Sequence, residues 1–281
     1  MAGFGKVGEA MECPHCRSGK TKELPKKTEL GYSTFSCFGC RRTFNERTGT
    51  VFNFLAMPTD IVFQVVLFRL RYKLSLRDLV EMFSIRGYEF SHETVRDWES
   101  RFAPLLAEQL RRKRKHQTGK SWYVDETYVK VKGNWCYLYR AIDRDGQLVD
   151  SMLSRTRDMA AAQRFFRKAL ATVGQSPERV TTDGHGSYPR AIEEVLGEKV
   201  KHRCNQYLNN RLEQDHRGIK QRYYPMLSFR AFRSAQRFCS AFDELRNYFR
   251  HRRVANERVS LGERRQQFSA KTKVLQTLFV G

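Results

Sequence analysis

Three acidic residues stand in sequence contexts that could bring them together around metal ions. Asp125 falls inside the alternating run Ser121-Trp-Tyr-Val-Asp-Glu-Thr-Tyr-Val-Lys130, which reads as a strand. Asp183 directly follows a second strand-like run, Arg179-Val-Thr-Thr-Asp183. Glu213 opens the helical pattern Asn210-Arg-Leu-Glu-Gln-Asp-His-Arg-Gly-Ile-Lys220. Phosphodiester chemistry with two divalent metals needs several carboxylates at one point, with basic groups nearby to hold phosphates. Three such charges cannot all ionise side by side without neutralisation, because repulsion and desolvation raise their pKa values. Mg²⁺ or Mn²⁺ would remove that penalty, since hard cations keep oxygen ligands. Lys220 lies seven residues after Glu213, about two helical turns on and nearly on the same face, where it could hold a phosphate. Asn209, Asn210, His216 and Arg217 surround the same helix start. Asp215 competes with Glu213 as third ligand, but two residues of helix turn it well away. Asp143 and Glu126 are expected to be structural or solvated.

A second constellation suits a different metal. Cys13 and Cys16 sit in Glu12-Cys-Pro-His-Cys-Arg-Ser-Gly19, and Cys37 and Cys40 in Ser36-Cys-Phe-Gly-Cys-Arg-Arg-Thr-Phe44. Two C-x-x-C pairs with 20 residues between them match a tetrahedral thiolate Zn²⁺ site. Each tight turn aims two thiolates at one ion, and the hairpin between brings the turns together. Four sulfurs leave no open position, so the site is read as structural. The alternative is reduced, unliganded cysteines. Cys136, Cys204 and Cys239 are scattered, which argues against a disulfide framework and for a reducing compartment.

The charge balance says what the partner is. Lys and Arg total 52 against 30 Asp and Glu, a formal net charge of +22 over 281 residues. Such a chain seeks a polyanion, most often nucleic acid. A basic ribosome-associated factor would share this property. The longest apolar run, Ile61-Val-Phe-Gln-Val-Val-Leu-Phe68, is far shorter than the roughly 18 residues of a membrane span. Residues 1–10 lack the apolar core of a signal peptide, so a cytoplasmic, nucleoid-associated protein is expected.

Four segments must position these groups. Residues 1–55 read as a zinc ribbon. Residues 56–110 read as helical, with a start at Pro58-Thr-Asp60 and caps at Ser75 and Ser91 around the turn Arg86-Gly-Tyr88. Helix, Gly-containing turn and capped helix form a helix-turn-helix pattern. Its last helix would present His92, Glu93, Arg96 and Asp97 near its start, where recognition helices meet bases. The alternative is an ordinary three-helix bundle. Residues 111–120, with Arg111-Arg112-Lys113-Arg114-Lys115, read as a basic linker lying beside DNA. Residues 121–255 show three meandering strands, a helix from Met159 to about Val173, a strand ending at Asp183, a short helix, a fifth strand near Lys199 to His202, and further helices. This describes an α/β domain with a mixed sheet, the first strand central and the fourth beside it. Residues 256–281 read as a charged, irregular, basic tail.

Asp-Glu-Thr-Tyr-Val-Lys at 125–130, Gly-Asn-Trp-Cys-Tyr-Leu-Tyr-Arg-Ala-Ile-Asp at 133–143, Thr-Asp-Gly at 182–184 and Asn-Asn-Arg-Leu-Glu-Gln-Asp-His-Arg-Gly-Ile-Lys at 209–220 resemble DDE transposases, specifically the insertion-sequence-six family of bacteria and archaea. The helix-turn-helix is similar too, so the resemblance spans about residues 56–250. It implies a ribonuclease-H-like catalytic fold. It implies Asp125, Asp183 and Glu213 as the catalytic triad, with Lys220 as the basic residue after the glutamate. It implies DNA as partner, at His92, Arg96, the 111–115 run and Arg217, and at least a homodimer. It also implies nicking and joining of element ends to target DNA, with a replicative outcome. Compact members of that family lack the N-terminal zinc ribbon. The 29 residues between Asp183 and Glu213 are also slightly fewer than the family pattern. A domesticated sequence-specific DNA-binding protein and a hydrolytic nuclease of the same fold are the alternatives.

Overall fold

The computed structural model describes residues 11–114, 117–204, 210–226, 228–250 and 259–280. Asn209 and Lys115 lie outside them. The chain divides into two units between Phe63 and Gln64. The division falls some eight residues beyond the expected boundary at 55, within a helix α1 (Thr59–Arg71).

The first unit holds a three-stranded antiparallel sheet of β1 (Thr21–Lys27), β2 (Ser33–Cys37) and β3 (Thr43–Asn45), in that order. Its core is small: Cys13, Cys37 and Phe44, with Phe35 stacked on Phe44 at 5.4 Å between ring centroids. A core this size cannot hold a domain alone, which is why small modules carry disulfides or metals.

The second unit opens on α1 and continues with α2 (Leu76–Ser84) and α3 (His92–Lys113). Ser75 caps α2 in a full capping box with Asp78. Ser91 caps α3 by accepting from the Thr94 N–H. Gly87, at φ +80°, makes the turn between them. Leu79, Phe83, Val95, Trp98 and Phe102 form the buried face that the helical spacing predicts.

The basic run at 111–115 is not a free linker. Arg111, Arg112 and Lys113 are the last turn of α3. Arg114 is buried. Its guanidinium binds Glu244 at 2.7 and 2.8 Å and the carbonyls of Leu148 and Val149 at 2.9 and 2.8 Å. Arg111 reaches the same Glu244 at 3.3 Å. A charge run is invisible to sequence reasoning as anything but solvated when its partner carboxylate lies 130 residues away.

The sheet of the second unit contains β4 (Ser121–Val131), β5 (Asn134–Asp143), β6 (Leu148–Ser154), β7 (Arg179–Thr182) and β8 (Lys201–Cys204), in the order β6-β5-β4-β7-β8. The first three pair antiparallel, and β4-β7-β8 pair parallel. Lys132 and Gly133, both at positive φ, turn the β4–β5 hairpin, as a two-residue primed turn requires. This mixed sheet flanked by helices has the expected ribonuclease-H-like topology. β8 starts two residues later than the sequence suggests.

The remaining helices are α4 (Met159–Val173), α5 (Tyr188–Leu196), α6 (Asn210–Tyr223), α7 (Phe232–Phe249) and α8 (Leu261–Val280). One face of the sheet packs on α4 and α5 through Trp122, Val124, Tyr139, Phe165, Phe166 and Tyr188. The other carries α6 and α7. The segment read as an irregular tail is largely α8, with Leu275 and Phe279 buried and Phe279 at 5.3 Å from Phe102. Its few apolar anchors gave too sparse a periodicity to read as a helix. Among the described residues no helix is long and apolar enough to cross a membrane.

Arg114 therefore acts as a bolt between α3, β6 and α7. Arg114→Ala leaves Glu244 buried with only Arg111 beside it. The expected loss is roughly 3 kcal/mol in urea-induced unfolding. A loss well under 1 kcal/mol would mean that solvent already shares this ion pair.

Candidate active site

Residue alternation along β4 sets the geometry. Asp125 and Glu126 point to opposite faces. Glu126 joins Trp122 and Val124 on the α4/α5 side, where its carboxylate accepts from the Tyr188 hydroxyl and from Arg157. Asp125 faces α6 and is paired in register with Arg140 of β5. Directly opposed residues share a face, so Arg140 also points at α6.

Helix α6 crosses this face and meets both residues. Asp215 binds Arg140, which also donates to Asp243 of α7 at 2.8 Å. Arg246, at 3.1 Å, and Arg250 complete the ring of cations around Asp215. Burial alone would raise the Asp215 carboxyl, but Arg140, Arg246 and Arg250 hold it below the usual range. This carboxylate is saturated by three arginines. Its neighbour His216 sets Nδ1 3.9 Å from Asp125. Burial, and then the charge of Arg140, push the His216 imidazole down to about 3, so it is neutral at pH 7.

Asp125 is the electrostatic centre of the group. Its carboxyl is raised to about 7, first by burial and then by the charge of Asp183, with Glu213 adding to the rise and Arg157 and Lys220 opposing it. Asp125 on β4 thus feels Asp183, just past β7, and Glu213 and Lys220 of α6, the groups named from sequence. Glu213 itself is exposed. The carboxylates are not drawn tightly together: among the described residues only the four N-terminal cysteines have ligand atoms all within 4.8 Å of one another. The donor set is all oxygen, partly buried and crowded enough to resist full ionisation. That is the chemistry a hard divalent cation fits.

Arg157 was not singled out in the sequence. It follows β6 and precedes Asp158, the N-cap of α4. Its guanidinium spans Glu126 and Asp183, reaching the latter at 3.1 Å. Asp183 also accepts from the His185 N–H at 3.0 Å. A chain of Tyr188, Glu126 and Arg157 therefore fixes Asp183. Nothing local in Ser154-Arg-Thr-Arg157 marks it; only the strand order brings it to the site.

The other expected residues are distributed as follows. At the start of α3, His92 is half-buried and Arg96 exposed; Arg96 pairs with Glu93, and His92 lies 3.2 Å from the same carboxylate. Arg112 is 77% exposed, Lys113 is exposed, and so is Arg217 on α6. Arg111 and Arg114 are committed to Glu244, so Arg114 cannot meet DNA because its donors are all turned inward.

In the first unit the thiols converge. Cys13 and Cys40 are 3.7 Å apart and Cys16 and Cys37 are 3.5 Å apart, sulfur to sulfur. Tetrahedral ligands about 2.3 Å from one ion would be spaced by roughly 3.8 Å. The two turns repeat each other. Arg17 and Arg41, each at φ near +60°, donate N–H bonds to Cys13 O and Cys37 O at 2.8 and 2.9 Å. Cys37 and Cys16 share a proton: the backbone N–H of Cys40 holds the Cys37 thiol down to about 6, while the Cys16 thiol bonded to it is pushed up.

Asp125 yields a signed pH dependence. Its native pKa of about 7 lies above the ordinary 3.8, so the folded state binds the extra proton between those values. Stability contributed here falls as pH rises through that window. Without added divalent cation, Asp125→Asn should melt several degrees above wild type at pH 8 and close to it at pH 4. Thermal melts across this range check it. A constant difference at all pH values would mean that the carboxyl is not perturbed.

A family model described as DDE domain matches residues 119–252. Over 175 residues the chain is 39% identical to the transposase for insertion sequence-like element IS431mec of Staphylococcus aureus, covering 61% of this chain and 77% of that one. The transposase for insertion sequence element IS257 in transposon Tn4003, also of S. aureus, matches to the same extent. Among solved structures, the HTLV-2 integrase catalytic core domain in complex with magnesium aligns in its trimeric form with 14% identity and a TM-score of 0.36, over 50% of this chain and 90% of that one. The matched segment is the one that carries Asp125, Asp183 and Glu213, and the chain belongs to the insertion-sequence-six family of DDE transposases.

Proposed function

We propose that the chain binds the ends of its element, nicks one strand at each and joins the freed 3′-OH to target DNA. The observation that carries this reading is the site around Asp125, whose carboxyl is raised first by burial and then by the charges of Asp183 and Glu213. Asp125, Asp183 and Glu213 would hold two divalent cations, Mg²⁺ or Mn²⁺. Bound there, such ions supply activation of the attacking oxygen and stabilisation of the leaving one. The chain's own groups do the rest. Arg157 and the His185 N–H orient Asp183. Lys220 offers a positive charge to the scissile phosphate. Neutral His216 lies under Asp125 without adding charge to the site. His92 and Arg96 present the start of α3 to DNA bases and backbone. Because one triad serves one strand end, a pair of ends requires at least two chains.

Labelled end DNA with a supercoiled target tests the chemistry. Wild type should give single-strand transfer products. Asp125→Asn, Asp183→Asn and Glu213→Gln should each lower joining by at least about 10³-fold, while end binding stays near wild type. Asp215→Asn should instead unfold readily, as a buried partner of three arginines. Hydrolysed ends without joined products would make the chain a nuclease. End binding without any cleavage would make it a regulator. Efficient double-strand excision by a monomer would contradict the proposal outright.

The sulfur spacing supports one structural Zn²⁺ in the first unit. Purified protein should contain about one zinc per chain. Cys37→Ser with Cys40→Ser should lose it and unfold residues 11–63, while the catalytic unit keeps its melting transition. Metal-free protein with protected amides in 11–63 would refute the zinc reading.

A further inference from the structure

A cavity of about 550 Å³ lies within the second unit, where the helix-turn-helix meets the end of α6 and the start of α7. Six cations line it: Arg69, Lys73, Arg96, Arg222, Arg230 and Arg237. Two acids do, Asp78 and Glu99. Both acids are already engaged. Glu99 binds Arg69 at 2.7 Å, and Asp78 accepts the Ser75 N–H at 2.7 Å in the α2 cap. Arg96 pairs with Glu93. Among the described residues, Lys73, Arg222, Arg230 and Arg237 have no carboxylate within ion-pair distance.

Two of these cations are held in place with donors unused. Arg222 is 5% exposed and donates through Nη2 to the Arg69 carbonyl, but among the described residues its Nε and the buried Nε of Arg237 have no hydrogen-bond partner. Burial, and then the charge of Arg69, push the Arg222 guanidinium down to about 10. A buried cation beside a second cation is expensive unless an anion shares the site. Planar guanidinium forks match phosphate oxygens, which makes phosphate the fitting anion.

We propose that this seam is a backbone-phosphate site for duplex DNA, lying between the base-reading helix and the catalytic helix. The unpaired cations come from the α1–α2 turn, α6, the loop before α7 and α7 itself, so four separate segments offer positive charge to one seam, as a run of backbone phosphates would require. One wall is α3, which carries Arg96. The other is α6, where Arg222 stands nine residues after Glu213. Nine residues of helix are about 13.5 Å. At about 3.4 Å per step along one strand, that is roughly four nucleotides. A duplex read by α3 and gripped in the seam would thus have its strand end delivered to the carboxylates. The inference rests on the transposase reading for its ligand, but its test reads binding alone.

The experiment uses the full chain without added divalent cation and a labelled duplex of arbitrary sequence. Affinity is measured by fluorescence anisotropy over a range of KCl. Arg230→Gln with Arg237→Gln removes two surface-accessible cations while leaving Arg222 in place. The slope of log affinity against log salt should flatten by about 1.8, and affinity should drop by ten-fold or more at low salt. Lys73→Gln alone should flatten it by about 0.9, which covers the case in which the double variant misfolds. Arg264→Gln with Arg265→Gln, on the exposed side of α8, should leave the slope close to wild type. Inorganic phosphate at matched ionic strength should not displace the duplex. An unchanged slope in the seam variants, an equal loss in the α8 variant, or displacement by free phosphate would each overturn the proposal. Failure of the transposase reading would show elsewhere, as wild-type protein that binds duplex with full salt dependence yet joins no DNA when Mg²⁺ is added.

Discussion

The buried contact of Arg140 with Asp215 and Asp243 fixes everything near the candidate site. Arg140 is 1% exposed in mid-strand, and only carboxylates on both helices above it make that position tolerable. Burial would lower its pKa, yet Asp243 and Asp215 hold it above the ordinary value. The pairing thereby dictates where α6 and α7 cross the sheet. Because Asp125 is the register partner of Arg140, a helix anchored on Arg140 through Asp215 necessarily sets its next residue, His216, over Asp125. Glu213 then follows from helical geometry. The charged core serves here less as a source of stability than as a registration device.

That registration explains a glycine. Gly218 lies on α6, and a Cβ there would stand 2.0 Å from the Arg246 guanidinium. Glycine in a helix costs about 1 kcal/mol relative to alanine. Here the missing side chain is the opening through which Arg246 reaches Asp215 and its carbonyl. The opposite face of the sheet uses a parallel device. Glu126, one residue from Asp125, is buried with Tyr188 and Arg157, and Arg157 turns back over the strand ends to Asp183. Asp125 and Asp183 are thus each flanked by an arginine, Arg140 and Arg157, that a buried carboxylate holds in place.

Local patterns made some of this legible and long-range pairing hid the rest. The caps at Ser75 and Ser91, the span of α4, the three-stranded meander and the two cysteine turns follow from rules that act within a few residues. Asp125, Asp183 and Glu213 were readable because strand, turn and helix signals flank each of them. Arg157 was not, since its partners sit 31 and 26 residues away on other strands. Arg111 and Arg114 read as part of a basic linker beside DNA for the same reason. Glu126 and Asp215 show the limit most clearly: sequence could set them aside as ligands, but could not say that each is buried and doing mechanical duty beside the residues it resembles.

Among the cations behind the charge of +22, two groups stand apart. Arg69, Arg114, Arg140, Arg246 and Arg250 are consumed by buried carboxylates and would contribute little to any salt dependence. Among the described residues, Lys73, Arg222, Arg230 and Arg237 have no such partner, and they share one seam. Counterion release scales with the phosphates actually met, not with net charge. A strongly basic composition therefore overstates the DNA-facing surface of this chain. The internal ion pairs are what leave the unpaired arginines concentrated between α3 and α6, where a bound duplex would have to pass to bring a strand end within reach of Asp125.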